Sequence, residues 1–211
     1  MKVIPGFTKN LEKVSSFFPS LIHFYRMYYK KVVEREVELG NITKEDRVLC
    51  IGGGAFPSTA IELAEQTGAE ICVIDCDPEA VKCARRVVCK LRMNKKIKIL
   101  QGMGQEIDPA DFSVIHMALQ VFPRDKVLNT LLQRAERGCR ILVRSPKDKL
   151  KNFYSAIPED CNCHSCKHIS QENSNMKATL LFTIERNKIK DEKVYAGDFR
   201  NINNGCSAVV G

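Results

Sequence analysis

The chain has no apolar run approaching the ~20 residues that a membrane-spanning helix needs. Its first residues, MKVIPGFTKNLEK, contain no apolar stretch of the kind that directs secretion, so a signal peptide is not expected. Collagenous repeats, sustained heptads and internal repeats are absent too, which excludes fibrous and solenoid architectures. What is present is a globular composition: 211 residues, 44% of them hydrophobic, too apolar for a disordered chain. The length suits one domain with an extension better than two full domains. The balance of 33 Lys and Arg against 25 Asp and Glu gives +8. The basic residues are spread along the chain, so a solvated basic surface is the first reading; a nucleic-acid partner is not expected, though charge alone leaves it open. Of the ten cysteines, Cys50, Cys72 and Cys139 lie in or beside apolar strand-like runs and Cys83 and Cys89 in a helix-like segment. They read as small core hydrophobes, reduced in a cytoplasmic setting.

The hydrophobic pattern gives the fold class. Residues 20–39 read as one helix, with Leu21, Tyr25, Tyr28, Tyr29, Val32 and Leu39 on one stripe and Lys30, Lys31, Glu34 and Glu38 opposite. Glu36 breaks the pattern. It follows Tyr25 by eleven residues, about three turns, so a carboxylate falls inside the apolar stripe and must be paired, hydrogen-bonded or protonated. From residue 47 strands alternate with helices. Strands are expected at Arg47–Ile51, Glu70–Asp75, Ile97–Gln101, Asp111–Leu119, Cys139–Arg144 and Ala178–Arg186. Helices are expected at Thr59–Gln66, Pro78–Leu91 and Arg124–Arg137, the last stopped by Gly138. Asp148–Ala156 reads as a short helix, residues 157–176 as loop, and the tail from Asn187 as irregular. This alternation predicts an α/β, Rossmann-like, doubly wound, mostly parallel sheet. Residues 1–45 form an N-terminal helical cap in this reading, and residues 46–211 the binding domain.

The run RVLCIGGGAFPSTAIELA is a strand, a glycine turn and a helix start. Gly52, Gly53 and Gly54 let backbone approach a ligand, and the helix behind them offers free N–H groups. Asp75 ends the next strand, 23 residues after Gly52, where an acidic group binds ribose hydroxyls. Together these imply a nucleoside-containing cofactor. A dinucleotide site asks for G-x-G-x-x-G, but its third glycine position here is Pro57, which also removes an amide from the pyrophosphate site. S-adenosyl-L-methionine carries no phosphate and loses less by this, so the residues favour it.

At this point the chain resembles a class I S-adenosylmethionine-dependent transferase over about residues 20–155. The motifs are CIGGGAFPSTAI for the cofactor loop, VIDCDPEAVKCARRV for the ribose strand, ILQGMGQEI for the adenine side, and SVIHMALQVFPRDKVLNTLLQRAERGCRILVRSP for the fourth strand, helix and fifth strand. G-G-G-A-F-P-S-T-A-I, V-I-H-M-A-L and L-V-R-S are similar to the nicotianamine synthase-like branch, which transfers an aminocarboxypropyl group in place of methyl. The resemblance implies a cofactor loop of Gly52, Gly53, Gly54, Ala55, Phe56 and Pro57. It implies Asp75 on the ribose, with Cys76 and Asp77 beside the adenosine. Gly102, Met103, Gly104 and Gln105 would lie on the adenine side, and His116, Met117 and Ala118 at the reaction centre. In that branch a glutamate and tyrosines of the preceding helical region face the substrate, and Glu36 and Tyr29 are the matching positions. The chain departs from the branch in a smaller N-terminal cap and in a cysteine-rich insertion after the fifth strand.

The sulfonium is an activated electrophile, so the protein must align an acceptor, and a base must take a proton if that acceptor is an amine or hydroxyl. Glu36 is the leading candidate base; the alternative is a buried carboxylate paired with Arg144. His116 is a second base or a strand-end histidine bonded to backbone. Arg144 clamps a substrate carboxylate or pairs with Glu36. Tyr25 and Tyr29 contact substrate or serve as core and rim aromatics. Cys161, Cys163 and Cys166, with His164 and His168, have thiolate and imidazole groups at short spacing. All lie within eight residues, which strains tetrahedral closure, so no metal is expected. The expected activity is therefore S-adenosylmethionine-dependent transfer to a small-molecule acceptor, put first as methyl transfer. The alternatives are aminocarboxypropyl transfer making a metal chelator and a non-catalytic adenosyl-binding module. A homodimer is left open.

Overall fold

The computed structural model describes residues 19–153, 167–171 and 176–185. Helix α1 (Pro19–Gly40) leads into strand β1 (Arg47–Ile51), followed by α2 (Ser58–Thr67), β2 (Glu70–Asp75), α3 (Pro78–Lys90), β3 (Ile97–Gln101), β4 (Val114–Met117), α4 (Arg124–Arg134) and β5 (Arg140–Pro146). A 3₁₀ turn at Asp148–Phe153 precedes β6 (Lys167–Ser170) and β7 (Met176–Thr183). The strands form one sheet in the order β3-β2-β1-β4-β5-β7-β6. The first five are parallel, and β7 runs antiparallel to both β5 and β6. The expected α/β doubly wound, mostly parallel sheet is what the chain forms.

Strand alternation sorts the core into two layers. Val48 and Cys50 of β1 pack with Val33, Ile61, Leu63, Val81 and Val88, under α1, α2 and α3. Leu49 and Ile51 turn to the other face, against Leu128 and Leu131 of α4. The strand order reverses between β1, whose next strand lies on one side, and β4, which lies on the other. That reversal opens a crevice at the carboxyl ends of these strands, where ligands of such sheets bind.

Helix α1 is anchored at its end. Asn41 takes a positive φ of 45°, and Ile42 N donates to Val37 O (3.0 Å), closing the last turn with a left-handed cap. Arg140 on β5 donates to the carbonyls of Gly40 (2.6 Å) and Asn41 (2.7 Å) and pairs with Asp46. Asp46 also accepts from Ser113 Oγ (2.7 Å) and Thr43 N (2.8 Å), so the helix end is knotted to the start of three strands. Burial, Ser113 and Thr43, with Arg140 behind them, set the Asp46 carboxyl; burial pushes it up, and the donors and the guanidinium bring it below the ordinary range.

Most element boundaries differ from the sequence reading by one to three residues, as in β5 (Arg140–Pro146) and β7 (Met176–Thr183), and three differences have a clear cause. β4 starts at Val114, because Asp111–Ser113 turns after Pro109 and Ser113 is tied to Asp46. α4 stops at Arg134, where Ala135 turns to extended backbone; Gly138, at φ 85°, serves the entry to β5 and donates to Ile184 O (2.7 Å). β6 lies within the stretch expected as loop.

Candidate functional site

The crevice is built from four elements. β1 delivers the glycine loop, whose first two amides, of Gly52 (2.9 Å) and Gly53 (3.3 Å), donate to Ile74 O of β2. Gly52 and Gly54 take φ of 81° and 64°, the left-handed region that favours glycine. At Gly53 a Cβ would stand 2.1 Å from Val73 Cγ1, so the loop lies directly on β2. Around Gly54 no heavy atom comes within 4 Å of an added Cβ; that side of the loop is open. Asp75, at the end of β2, accepts from Gly54 N (2.7 Å) with one oxygen and from Asp77 N (3.0 Å) with the other. Its carboxylate therefore ties the glycine loop to the start of α3, whose N-cap is Asp77 accepting from Glu79 N (2.9 Å).

Beside the loop lies a cavity of about 70 Å³. Gly52, Gly53 and Phe56 line it from the loop, Ser58 and Thr59 from the first turn of α2, Tyr29 from α1, His116 and Ala118 from β4 and its end, and Arg144 from β5. Behind these groups is a buried ion cluster. Arg144 donates to both oxygens of Glu36, Nε to Oε1 (2.8 Å) and Nη2 to Oε2 (2.7 Å). Thr179 Oγ1 of β7 donates to Oε1 as well (2.7 Å). His116 Nε2 lies 3.2 Å from Oε2 but outside hydrogen-bond alignment. Tyr29 presents its ring to the Arg144 guanidinium at 5.5 Å, a cation–π contact. Glu36 and Thr179 are fully buried; His116 and Arg144 nearly so.

Charge states follow from this packing. Burial pushes the Glu36 carboxyl up, but the charge and bonds of Arg144, with His116 nearby, outweigh it and hold the carboxyl far below the usual range. Burial first, then the Arg144 charge, lowers His116 below its ordinary value against the pull of Glu36, so its imidazole is neutral at pH 7. Cys50, which also lines the cavity, has its thiol pushed up by burial and stays protonated.

Comparison with known proteins gives the same picture. No family model matches the chain. It is 25% identical over 140 residues to an L-histidine 2-aminobutanoyltransferase of Yersinia pestis, a stretch covering 66% of this chain and 52% of that protein. The chain thus spans about half the length of this curated relative. A mutant of MtNAS, a nicotianamine synthase, crystallised with S-adenosylmethionine, superposes with a TM-score of 0.65 at 22% identity, covering 82% of this chain and 66% of that one. An RNA methyltransferase from Salinibacter ruber, in complex with S-adenosyl-L-homocysteine, superposes at 0.58 and 20% identity, covering 76% and 95%. The chain shares its fold with these S-adenosylmethionine-dependent proteins. The resemblance read from the motifs is thereby borne out.

In this fold the residues singled out from the sequence fall as follows. The Gly52–Pro57 loop, Asp75, Cys76 and Asp77 gather along one side of the crevice. Cys76 is exposed, its thiol raised by partial burial and then by Asp75. Gly102, Met103, Gly104 and Gln105 follow β3; Gly102 N donates to Asp75 O (3.0 Å), and Met103 is exposed at the rim. A Cβ on Gly104 would meet Ile51 Cγ2 at 2.9 Å, so this loop also lies close on β1. Glu36, Tyr29, His116 and Arg144 come together, and Glu36 and Arg144 are partners, the pairing the sequence left as an alternative. Met117 does not join them: it is buried in the core layer beside Leu49, Ile51 and Leu128. The side chain of Tyr25, and Cys161, Cys163, His164 and Cys166, lie outside the described residues; His168 is on β6. Sequence reasoning missed Arg124, Gln171 and Thr179. Arg124, fully buried, donates to Ala118 O (3.3 Å) and Leu119 O (2.8 Å) and to Arg144 O, fixing the turn after β4 to β5. Thr179 carried a signal, a hydroxyl inside the apolar run ATLLFT; Arg124 at the head of a polar helix carried none.

Proposed function

We propose that this chain is an S-adenosylmethionine-dependent transferase that moves the aminobutanoyl (3-amino-3-carboxypropyl) group to an amine nitrogen of a small-molecule acceptor. The observation that carries the reading is one shared cavity: the glycine loop and the Tyr29–His116–Arg144 cluster line the same space. The residues fit the cofactor. Gly54 leaves an open cradle at positive φ, and His116 Nε2 is a buried polar atom without a hydrogen-bond partner. Gly52–Phe56 and the first turn of α2 would hold the amino-acid end, Asp75 the ribose, and Met103 and Gly104 the adenine side. When bound, the cofactor supplies a sulfonium whose attached carbons are open to displacement.

The polar cluster lies on the amino-acid side of the crevice, behind the glycine loop. Tyr29 of helix α1 and Arg144 of β5 would shape the acceptor's seat. The name of the Yersinia pestis relative supports the same reaction. Incubating the full chain with S-adenosylmethionine and L-histidine and identifying the adenosyl product by mass spectrometry tests it. Methylthioadenosine is expected; S-adenosylhomocysteine would replace this reading by methyl transfer. Methyl transfer is the second reading, favoured by the fold comparison, in which the chain covers 95% of a methyltransferase against 66% of MtNAS.

A further inference from the structure

Two buried groups at the cavity could take a proton from the acceptor, and their surroundings are opposite. Glu36 is closed. Its oxygens receive three donors: Arg144 Nε (2.8 Å), Arg144 Nη2 (2.7 Å) and Thr179 Oγ1 (2.7 Å). Thr179 is steadied in turn by Gln171 Nε2 (3.2 Å), which also donates to Val32 O of α1 (3.4 Å). The β6–β7 hairpin thus locks the carboxylate from the far side. A carboxylate so filled has little lone-pair capacity left and gains little by accepting a proton. His116 is open. Its Nε2 is buried, has no hydrogen-bond partner, and sits in a ring that lines the cavity shared with the glycine loop. A buried ring nitrogen left unpartnered is unfavourable until a ligand fills it.

We infer that His116 Nε2 is the catalytic base that takes the acceptor's proton, and that Glu36 is a positioning residue that steadies the imidazolium so formed. The inference rests on the transferase reading above. The acceptor nitrogen forms its bond to the carbon next to sulfur. The carbon–sulfur bond breaks, and its electron pair stays on sulfur as a neutral thioether. The proton leaves nitrogen for His116 Nε2 and passes later to water. The resulting cation stands 3.2 Å from Glu36 Oε2, whose negative charge stabilises it. The groups facing the imidazole are Glu36 and Tyr29 from α1, Cys50 from β1 and Arg144 from β5; the first turn of α2 presents only the uncharged Ser58 and Thr59. Arg144 and burial keep the ring neutral at rest, Glu36 favours its protonation, and the Cys50 thiol stays uncharged.

Two measurements test this. In the full chain with S-adenosylmethionine near pH 7, ¹⁵N NMR of the His116 ring, assigned by the signal lost in His116→Gln, should show Nε2 without a proton; an Nε2–H tautomer overturns the proposal. With L-histidine as probe acceptor, kcat should fall on an acid limb below pH ~6.5. His116→Gln should lower kcat by about 100-fold or more and remove the limb. Glu36→Gln should keep the limb and move it to lower pH, because the anion favouring imidazolium is gone. A limb that survives in His116→Gln, or one that vanishes in Glu36→Gln alone, assigns the base elsewhere and overturns the proposal. If wild type makes no methylthioadenosine from L-histidine, the transferase reading fails on its own, and the tautomer still decides the role of His116.

Discussion

At position 53 a single methyl group has nowhere to go. The added carbon would stand 2.1 Å from Val73 Cγ1, so β2 or the loop must move. Gly53→Ala should destabilise the protein by about 1–3 kcal/mol and weaken S-adenosylmethionine binding. Val73→Ala in the same chain should recover part of both, and a double-mutant cycle in urea melts and calorimetry checks it. Additive losses would mean the clash is not the cause. Glu36 offers a second residue-scale test, because its removal strands the Arg144 charge in the interior. Glu36→Ala should cost about 3–5 kcal/mol. The pair also sets acid stability. The folded carboxyl lies below its unfolded value of about 4.3. Its contribution is therefore complete above that value and is lost as pH falls toward the folded one. In Glu36→Gln the fall in stability from about pH 5 to pH 3 should be shallower than in wild type; an unchanged slope counts against the buried ion pair.

Helix α1 and the β6–β7 hairpin meet across the site, and their contact rests on few polar groups. Thr179→Val keeps the shape of the side chain and removes the donor to Glu36 Oε1. It should cost about 1–3 kcal/mol, and Thr179→Ser should restore most of it, read from chemical unfolding. Equal stability of Val and Ser variants would remove the hydroxyl from the account. This contact also shows where the sequence stops being legible. The parallel strands were readable because burial on both faces makes them short apolar runs, as in RVLCI and EICVID. Glu36 was readable as an anomaly on a helical stripe, and so was its need for a partner. β6 was not: KHIS is a largely exposed edge strand of four residues with one apolar side chain, Ile169, and it forms because β7 lies beside it. Nor could Gln171 be found, since its burial depends on that hairpin folding over α1. Met117 misled for a period-two reason. It adjoins His116, and neighbours on a strand point to opposite faces. His116 reaches the cavity and Met117 the other core layer.

For the molecule as a whole, the question is which forces assemble the crevice and which partner its charge suits. Asp75 links the glycine loop after β1 to the head of α3 after β2 through two backbone N–H groups. Asp75→Ala removes that tie and the acceptor proposed for ribose hydroxyls together. S-adenosylmethionine affinity should fall by about tenfold or more in calorimetry, since a lost bond to a charged group is worth about 1.5–3 kcal/mol; unchanged affinity would displace the cofactor from this crevice. The net charge of +8 invites a polyanionic acceptor instead. The groups that line the cavity argue otherwise. Arg144, the one cation there among the described residues, is already neutralised by Glu36, and the cavity holds only about 70 Å³. A small acceptor bound by such a site releases few counterions. Its KM should change by less than about threefold between 50 and 200 mM salt, where a chain contacting 6–10 phosphates would lose about 10³–10⁵ in affinity. A steep salt dependence of acceptor binding would move the acceptor from this cavity to the basic surface around it.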